Sequence, residues 1–508
     1  MYANVTSATL LGINSYLVEV EVDINGRRLP GFDLVGLPDS AVREARGRVR
    51  AAITNSNFKF PIQRITTNLA PADIRKEGSG FDLAIALGIL IASSQLQPLV
   101  KKTLFLGELA LEGRLRPLPG VLSMVQEAKI NGFQEIFVPA ANKSEASLVS
   151  GINVYAVHNL KQVIDHILGD KLKPLTYVPP ALSSQTKYSF DFQDVKGQLQ
   201  AKRALEIAAA GRHNLIFIGP PGSGKSMLAK RLLTILPVLR LDEALEVVKI
   251  YSAANVYKPK EAQQLTVKRP FRAPHHTTST AGLTGGGSVP KPGEISLAHC
   301  GILFLDELPE FSKQTLEGLR QPLEENQMTI CRAKSSLTYP ADIILICAMN
   351  PCPCGFYGYE TTKQRCSCSS LQRKRYRARI SGPLLDRIDL HIEVPPVNYQ
   401  ILSCESVGEK SSLIARRVLK AQARQFKRTN KVNSRLTIQD LAKHCVLNDE
   451  STELMQLSFE KLNLSARAYN RILKVARTIA DLEDSNEISA KHIAEAIQYR
   501  TLDKAIIE

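Results

Sequence analysis

The chain has 508 residues, with 65 Lys plus Arg against 49 Asp plus Glu, giving a formal net charge of +16. Hydrophobic residues at 44% and charged residues at 22% are an ordinary globular mix, which excludes broad disorder and predicts roughly three domains of ~150 residues. The strongest apolar stretch, Leu83 to Ala92, is about half of the ~20 residues that cross a bilayer, so no membrane span or membrane partner is expected.

Val18, Val20 and Val22 alternate with Glu19, Glu21 and Asp23, and Asn25-Gly26 follows, which predicts a half-buried strand entering a hairpin. The chain opens on this strand pattern rather than on a basic segment, an apolar core and a small-residue cleavage site. No secretory signal is therefore expected, and a cytoplasmic location is. Leu83 to Ala92 and Ser123 to Ile130 have the length and composition of helices, Glu135 to Val138 and Val154 to Val157 those of strands, so residues 1–172 read as an α+β domain. Residues 173–188, with Pro174, Pro179 and Pro180, have the composition of an extended linker. From 189 to 395 short apolar strands alternate with helical stretches, the pattern of an α/β parallel sheet covered on both faces. Residues 396–508 turn helical, most clearly at Leu441 to Cys445, Leu454 to Leu462, Ser465 to Leu482 and Ala490 to Tyr499.

Within the α/β segment, Gly219-Pro220-Pro221-Gly222-Ser223-Gly224-Lys225-Ser226 fits the phosphate-binding P-loop, between the apolar strand Leu215 to Ile218 and the helical stretch Met227 to Leu236. Its glycines let backbone N–H groups wrap phosphates, Lys225 neutralises β/γ charge, and Ser226 offers a hydroxyl to Mg²⁺. ATP and Mg²⁺ are the expected ligands. Gly301 to Leu305 is a buried strand that ends in Asp306, a Mg²⁺ holder, and Glu307, the candidate base that polarises the attacking water. Met328 to Tyr339 reads as a hairpin with a basic tip, and Gly285 to Lys291 as a glycine-rich loop. The strand Ile343 to Met349 delivers Asn350, placed to orient water near a γ-phosphate.

Nine cysteines are too few for a disulfide scaffold. Four of them, Cys352, Cys354, Cys366 and Cys368, form two Cys-x-Cys pairs in a Gly-containing loop, a pattern that suits tetrahedral Zn²⁺, with free or redox-active thiols as the alternative. Two acid-free stretches carry nearly the whole net charge. The first holds Lys363, Arg365, Arg373, Lys374, Arg375, Arg377 and Arg379, the second Arg416, Arg417, Lys420, Arg424, Lys427, Arg428, Lys431 and Arg435. Such concentration predicts salt-sensitive contact with a phosphate backbone.

The P-loop, Asp306-Glu307 and Asn350 together resemble the AAA+ ATPases. The stretches Asp194 to Gln198, Arg272-Ala273-Pro274-His275-His276, Pro292 to His299 and Ser381 to Leu390 narrow the resemblance to the magnesium-chelatase-like branch. With the first 172 residues included, it extends over nearly the whole chain to the ComM/YifB-type family. The resemblance implies a C-terminal helical lid, a homo-hexameric ring, and an active site completed by a neighbour's arginine at the position of Arg387. An intrachain salt bridge of Arg387 with Asp386 or Asp389 is the alternative. It also implies a second sensor arginine at Arg467, which otherwise shares a solvated basic face with Arg471 and Lys474. By the same resemblance the hairpin and the glycine-rich loop face DNA in the ring's pore, making Arg332, Lys334 and Lys291 the strand-contact candidates. The implied activity is a helicase that migrates branched DNA during integration of incoming single strands in natural transformation, with single-stranded and branched DNA as partners.

Residues 1–172 resemble the proteolytic domain of Lon-type proteases through Pro71 to Gly80 and Gly107 to Arg114. Those enzymes pair a Ser nucleophile with a Lys amine. Aligning the motifs puts Gly80 at the nucleophile position and Leu122 at the lysine position, with Ser79 one residue away, so the expectation is a protease-dead module used for assembly or DNA contact. Three rival readings stay open: a chelatase that inserts Mg²⁺ into a porphyrin, an ATP-switched regulatory ring that does not translocate on DNA, and a peptidase.

Overall fold

The computed structural model describes residues 1–500 except 28, 74, 75, 77, 100, 180, 183–187, 257–265, 288, 289, 333, 334, 361–363, 398, 399, 401–407 and 463. It forms two compact units, one of residues 1–183 with 240–267, the other of 184–239 with 268–508.

The first unit is built on a seven-stranded mixed sheet of β1 (Tyr2–Leu11), β2 (Asn14–Asn25), β3 (Gly31–Val35), β4 (Arg64–Ala70), β5 (Thr103–Phe105), β6 (Glu135–Pro139) and β7 (Asn153–Val157), in the order β3-β4-β2-β1-β5-β6-β7. Val18, Val20 and Val22 are fully buried, so the alternation in β2 does mark a core face. The hairpin lies on the other side of that strand from the one expected. β2 pairs antiparallel with β1 before it, whereas the chain leaving Asn25-Gly26 runs to the far edge, where β3 pairs parallel with β4. A turn dipeptide specifies a local reversal, and burial of the whole sheet chooses the partner. Helix Asp82–Ala92 is buried on nearly every side against β1 and β2. Gly88 lets it approach, since a Cβ there would stand 2.7 Å from Val22 Cγ2. Its first residue, Asp82, is fully buried and takes hydrogen bonds of 2.7 and 3.1 Å from Arg48 of helix Ser40–Asn55.

Helix Leu241–Ala253 lies in the stretch the sequence assigns to the α/β core, yet it packs in this unit. Ser252 Oγ accepts the Gly120 N–H at 2.8 Å and donates to Glu145 at 2.6 Å, while Asn142 donates to the same carboxylate at 2.5 Å. The stretch expected as a free linker is tied down at its start. Leu175 and Val178 donate to Val154 O and Ser147 O at 2.7 and 3.0 Å, and Ala181–Leu182 pairs parallel with Thr266–Val267. Residues 183–187 of that linker lie outside the described residues.

The second unit holds an all-parallel sheet of β8 (Leu215–Ile218), β9 (Phe271–Arg272), β10 (Ile302–Leu305), β11 (Ile344–Met349) and β12 (Leu390–Glu393), in the order β9-β10-β11-β8-β12. Every residue of β8, β10 and β11 is buried, which is why these strands read as unbroken apolar runs. The order reverses at β8, placing a crevice at the carboxyl ends of β8 and its neighbours, where such sheets bind ligands. Helices Ser411–Thr429, Asp449–Leu462, Ala466–Leu482 and Ala490–Gln498 follow, and Ala468, Ile472, Val475, Ala476 and Ile479 form the buried stripe the sequence marks. No helix among the described residues is long and apolar enough to cross a membrane.

Candidate active site

Residues 219–226 leave the carboxyl end of β8, and helix Lys225–Arg231 begins at the P-loop lysine. Gly219 N–H donates to Met349 O at 3.2 Å, fixing the loop to the end of β11. Lys225 Nζ donates to Gly219 O at 2.7 Å, Pro220 O at 2.9 Å and Asn350 Oδ1 at 3.2 Å. Burial lowers its pKa, while Asp306 and Glu307 favour the charged form. The ammonium is held by neutral oxygens and salt-bridged to none of the described carboxylates, which suits it to an anionic ligand.

Ser226 Oγ donates to Asp306 Oδ2 at 2.7 Å, joining the start of the P-loop helix to the end of β10. A hydroxyl and a carboxylate side by side are hard oxygen donors and fit Mg²⁺. The other Asp306 oxygen accepts the Glu307 N–H at 3.0 Å. Glu307 has left-handed backbone, φ 52, which costs a non-glycine residue of order 1 kcal/mol and turns its carboxylate out of the strand. Its Oε2 lies 3.2 Å from His276 Nδ1, and the His276 ring packs on His275 with centroids 4.1 Å apart. The sequence assigned no role to His276. Its only signal was membership of the Arg272 to His276 stretch, because the pairing with Glu307 joins two segments far apart in the chain.

Arg387 is buried and pairs within the chain, with Glu324 rather than with Asp386 or Asp389, and it also donates to Pro383 O at 2.5 Å. Asp389 is occupied elsewhere: it pairs with Arg471, lies 3.1 Å from His213 Nδ1 and accepts the Asn214 N–H at 3.2 Å. Burial alone would raise its carboxyl, but Arg471 and His213 outweigh that and hold it well below the usual carboxylate range. Lys474 donates to Ser434 O at 3.0 Å. Arg467, Arg471 and Lys474 therefore do not form a solvated face, and Arg467 alone of the three is exposed.

The basic stretches divide in the same way. Arg417 pairs with Glu206 and Glu409, Arg424 with Asp484, Arg428 with Asp481, Lys431 with Asp440 and Arg435 with Asp342. Five of the eight cations between Ser411 and Arg435 are thus paired with acids that lie outside that stretch. Arg416, Lys420 and Lys427 remain exposed. In the first stretch Arg379 pairs with Glu310 at 2.9 Å, Arg373 stacks on Tyr357, and Arg365, Lys374 and Arg375 are exposed. The hairpin is present as Gln327–Arg332 with Ser335–Pro340, but Lys334 at its tip and the Arg332 side chain lie outside the described residues. Lys291 is exposed, on a strand that pairs with Gly285–Gly286, and Tyr339 donates to Pro290 O at 2.8 Å beside it.

Cys352, Cys354, Cys366 and Cys368 converge, with all four sulfurs within 4.8 Å of one another. Cys352 lies 3.3 Å from Cys354 and 3.8 Å from Cys366, and Cys354 lies 3.6 Å from Cys366. A tetrahedron of thiolates about 2.3 Å from Zn²⁺ has edges of about 3.8 Å, so the donor set and its spacing fit that ion. Burial pushes the Cys352 thiol up despite the N–H groups of Gly355 and Tyr357 that point at it, whereas Cys354 is drawn down against burial by the N–H groups of Phe356 and Ser367 and by the neighbouring thiols.

In the first unit Leu122 is fully buried, and the Ser79 hydroxyl donates to the Glu108 carboxylate rather than to an amine. Lys76, also buried, donates to Pro71 O.

Three family descriptions match the chain: subunit ChlI of magnesium chelatase over residues 20–142, magnesium chelatase subunit ChlI over 191–402, and the ChlI C-terminal region over 408–500. The chain is 45% identical over 509 residues to the uncharacterized protein YifB of Salmonella typhimurium, covering 99% of this chain and 98% of that one. It is 45% identical over 509 residues to the competence protein ComM of Haemophilus influenzae, covering 98% and 97%. A weaker likeness, 26% identity over 181 residues and 32% of each chain, is to Lon protease 2 of Bacillus subtilis.

Proposed function

The chain belongs to the ComM/YifB-type family of magnesium-chelatase-like AAA+ proteins, and on that premise we propose that it is an ATP-driven, homo-hexameric DNA motor, a helicase that promotes branch migration in natural transformation. The observation that carries the ATPase is the meeting of Lys225, Ser226, Asp306, Glu307 and Asn350 at the point where the parallel sheet reverses its strand order.

Lys225 exchanges its carbonyl and amide partners for β- and γ-phosphate oxygens, and the P-loop N–H groups take the remaining charge. Ser226 and Asp306 hold Mg²⁺, which when bound neutralises charge on the phosphates. Glu307 accepts a proton from the attacking water, with His276 orienting its carboxylate, and Asn350 positions that water. Arg387 of a neighbouring subunit supplies charge to the transferring phosphoryl after leaving Glu324, and Arg467 reaches the nucleotide from the helical lid. The exposed cations Arg416, Lys420, Lys427, Lys374 and Arg375, with Lys291, Arg332 and Lys334 as pore contacts, support DNA as the track. Cys352, Cys354, Cys366 and Cys368 hold a structural Zn²⁺ in this reading, and the first unit is a protease-dead module.

The test is ATP hydrolysis with and without a four-way DNA junction, at low and high salt, beside Glu307→Gln. Junction-stimulated, salt-sensitive turnover that the variant lacks is expected. Turnover indifferent to every DNA would replace this reading with a chelatase or regulatory ring.

A further inference from the structure

The cysteine cluster touches the nucleotide site. Cys352 follows Asn350 by two residues, so one end of the cluster is the end of β11. Gly355, with φ 87, sits against the P-loop, where a Cβ would lie 2.6 Å from Pro221 Cδ and 2.8 Å from Pro221 Cγ. At the other end, helix Ser370–Arg377 starts two residues after Cys368, capped by Ser369, and Arg373 donates to Cys368 O at 3.0 Å while stacking on Tyr357 at 4.1 Å. That helix ends by burying Tyr376. One close contact thus runs from the cysteine loop to the wall of the phosphate-binding loop, and the chain itself joins Cys352 to the strand end that bears Asn350.

We propose that a thiophilic divalent cation such as Zn²⁺, held by Cys352, Cys354, Cys366 and Cys368, positions the nucleotide site by seating Gly355 on Pro221 of the phosphate-binding loop. The proposal rests on the reading of that site as an ATP site. A tetrahedral cation ties Cys352 and Cys354 to Cys366 and Cys368, and without it that cross-link is lost, so the segment bearing Gly355 is no longer held against Pro221. Metal and nucleotide then favour the same arrangement of one loop, and their affinities are coupled reciprocally.

The experiment uses the full chain, zinc-loaded or stripped by a chelator, with zinc content from elemental analysis. Affinity for a fluorescent ATP analogue is measured in both forms, and the rate of zinc transfer to a chromogenic chelator with and without ADP. Depletion is expected to weaken the analogue by about tenfold, reloading to restore it, and ADP to slow zinc release. Gly355→Ala, which forces a side chain against Pro221 and leaves the thiols in place, is expected to keep its zinc and bind the analogue more weakly. Equal affinity in the loaded and stripped forms, or a chain that holds no metal, overturns the proposal. Should stripping unfold the chain by circular dichroism, Gly355→Ala decides, and unchanged affinity in that variant overturns it. A zinc-loaded chain that binds no ATP analogue refutes the ATP reading instead.

Discussion

Glu307 and Arg387 both occupy places that folding alone does not favour. Glu307 holds left-handed backbone at the end of a buried strand, and its carboxylate faces a histidine across the site. Glu307→Gln keeps the shape and removes the base, so ATP turnover should fall by about 10²–10³-fold with nucleotide affinity unchanged, read by steady-state hydrolysis beside equilibrium binding. Arg387 is committed to Glu324 within its own chain. If it acts in the neighbouring site, Arg387→Ala should abolish turnover while nucleotide still binds, and Arg387→Lys should not rescue it, because an ammonium lacks the two-pronged guanidinium. Asp389 gives a pH signature. Its carboxyl is held below its unfolded value of about 3.9, so its contribution to stability is present at neutral pH and lost as pH falls below that value. Asp389→Asn should cost about 3 kcal/mol at pH 7 and flatten the acid limb of the urea midpoint, since half-buried Arg471 and fully buried His213 lose the carboxylate they face. The placing of the P-loop, Asp306 and Asn350 at the ends of buried strands was legible from sequence because each lies within a contiguous stretch. Glu324, His276 and Arg471 were not, because each partnership crosses between segments that only the fold brings together.

At the scale of elements, helix Ser411–Thr429 carries most of the second basic stretch and sorts it by face. Arg417, Arg424 and Arg428 point toward acids of other segments, and Arg416, Lys420 and Lys427 toward solvent. Removing an exposed member should weaken DNA binding at low salt and lower the slope of log affinity against log salt by about 1, as measured by salt titration of fluorescence anisotropy. Arg428→Ala should instead lower the urea midpoint, because it leaves Asp481 buried and short of a partner. A count of charges along the chain cannot make this division. The helical period says which residues share a face, and only the packing says which face meets carboxylates.

At the scale of the molecule, the chain order of segments and their spatial order differ. Residues 240–267 sit within the stretch that builds the parallel sheet, yet helix Leu241–Ala253 belongs to the unit formed by the first 183 residues, locked there by Ser252, Gly120 and Glu145. A chain lacking residues 1–172 should therefore leave the buried Val247, Val248 and Ile250 without their cover and elute as aggregate in size-exclusion chromatography, whereas the full chain does not. The sequence by itself determined the elements that depend on neighbours along the chain: the strand alternation of β2, the buried run of β10 ending in two carboxylates, the glycine-rich turn between β8 and helix Lys225–Arg231, and the buried helix stripe from Ala468 to Ile479. These follow from periodicity and from backbone groups that must be satisfied locally. The tertiary structure decided the partner of β2, the unit that takes residues 240–267, the acids that neutralise Arg417 and Arg428, and the seat of the cysteine loop on Pro221. Each of those is a contact between residues distant in sequence, chosen by which arrangement buries the most apolar surface while leaving no charge or backbone group without a partner.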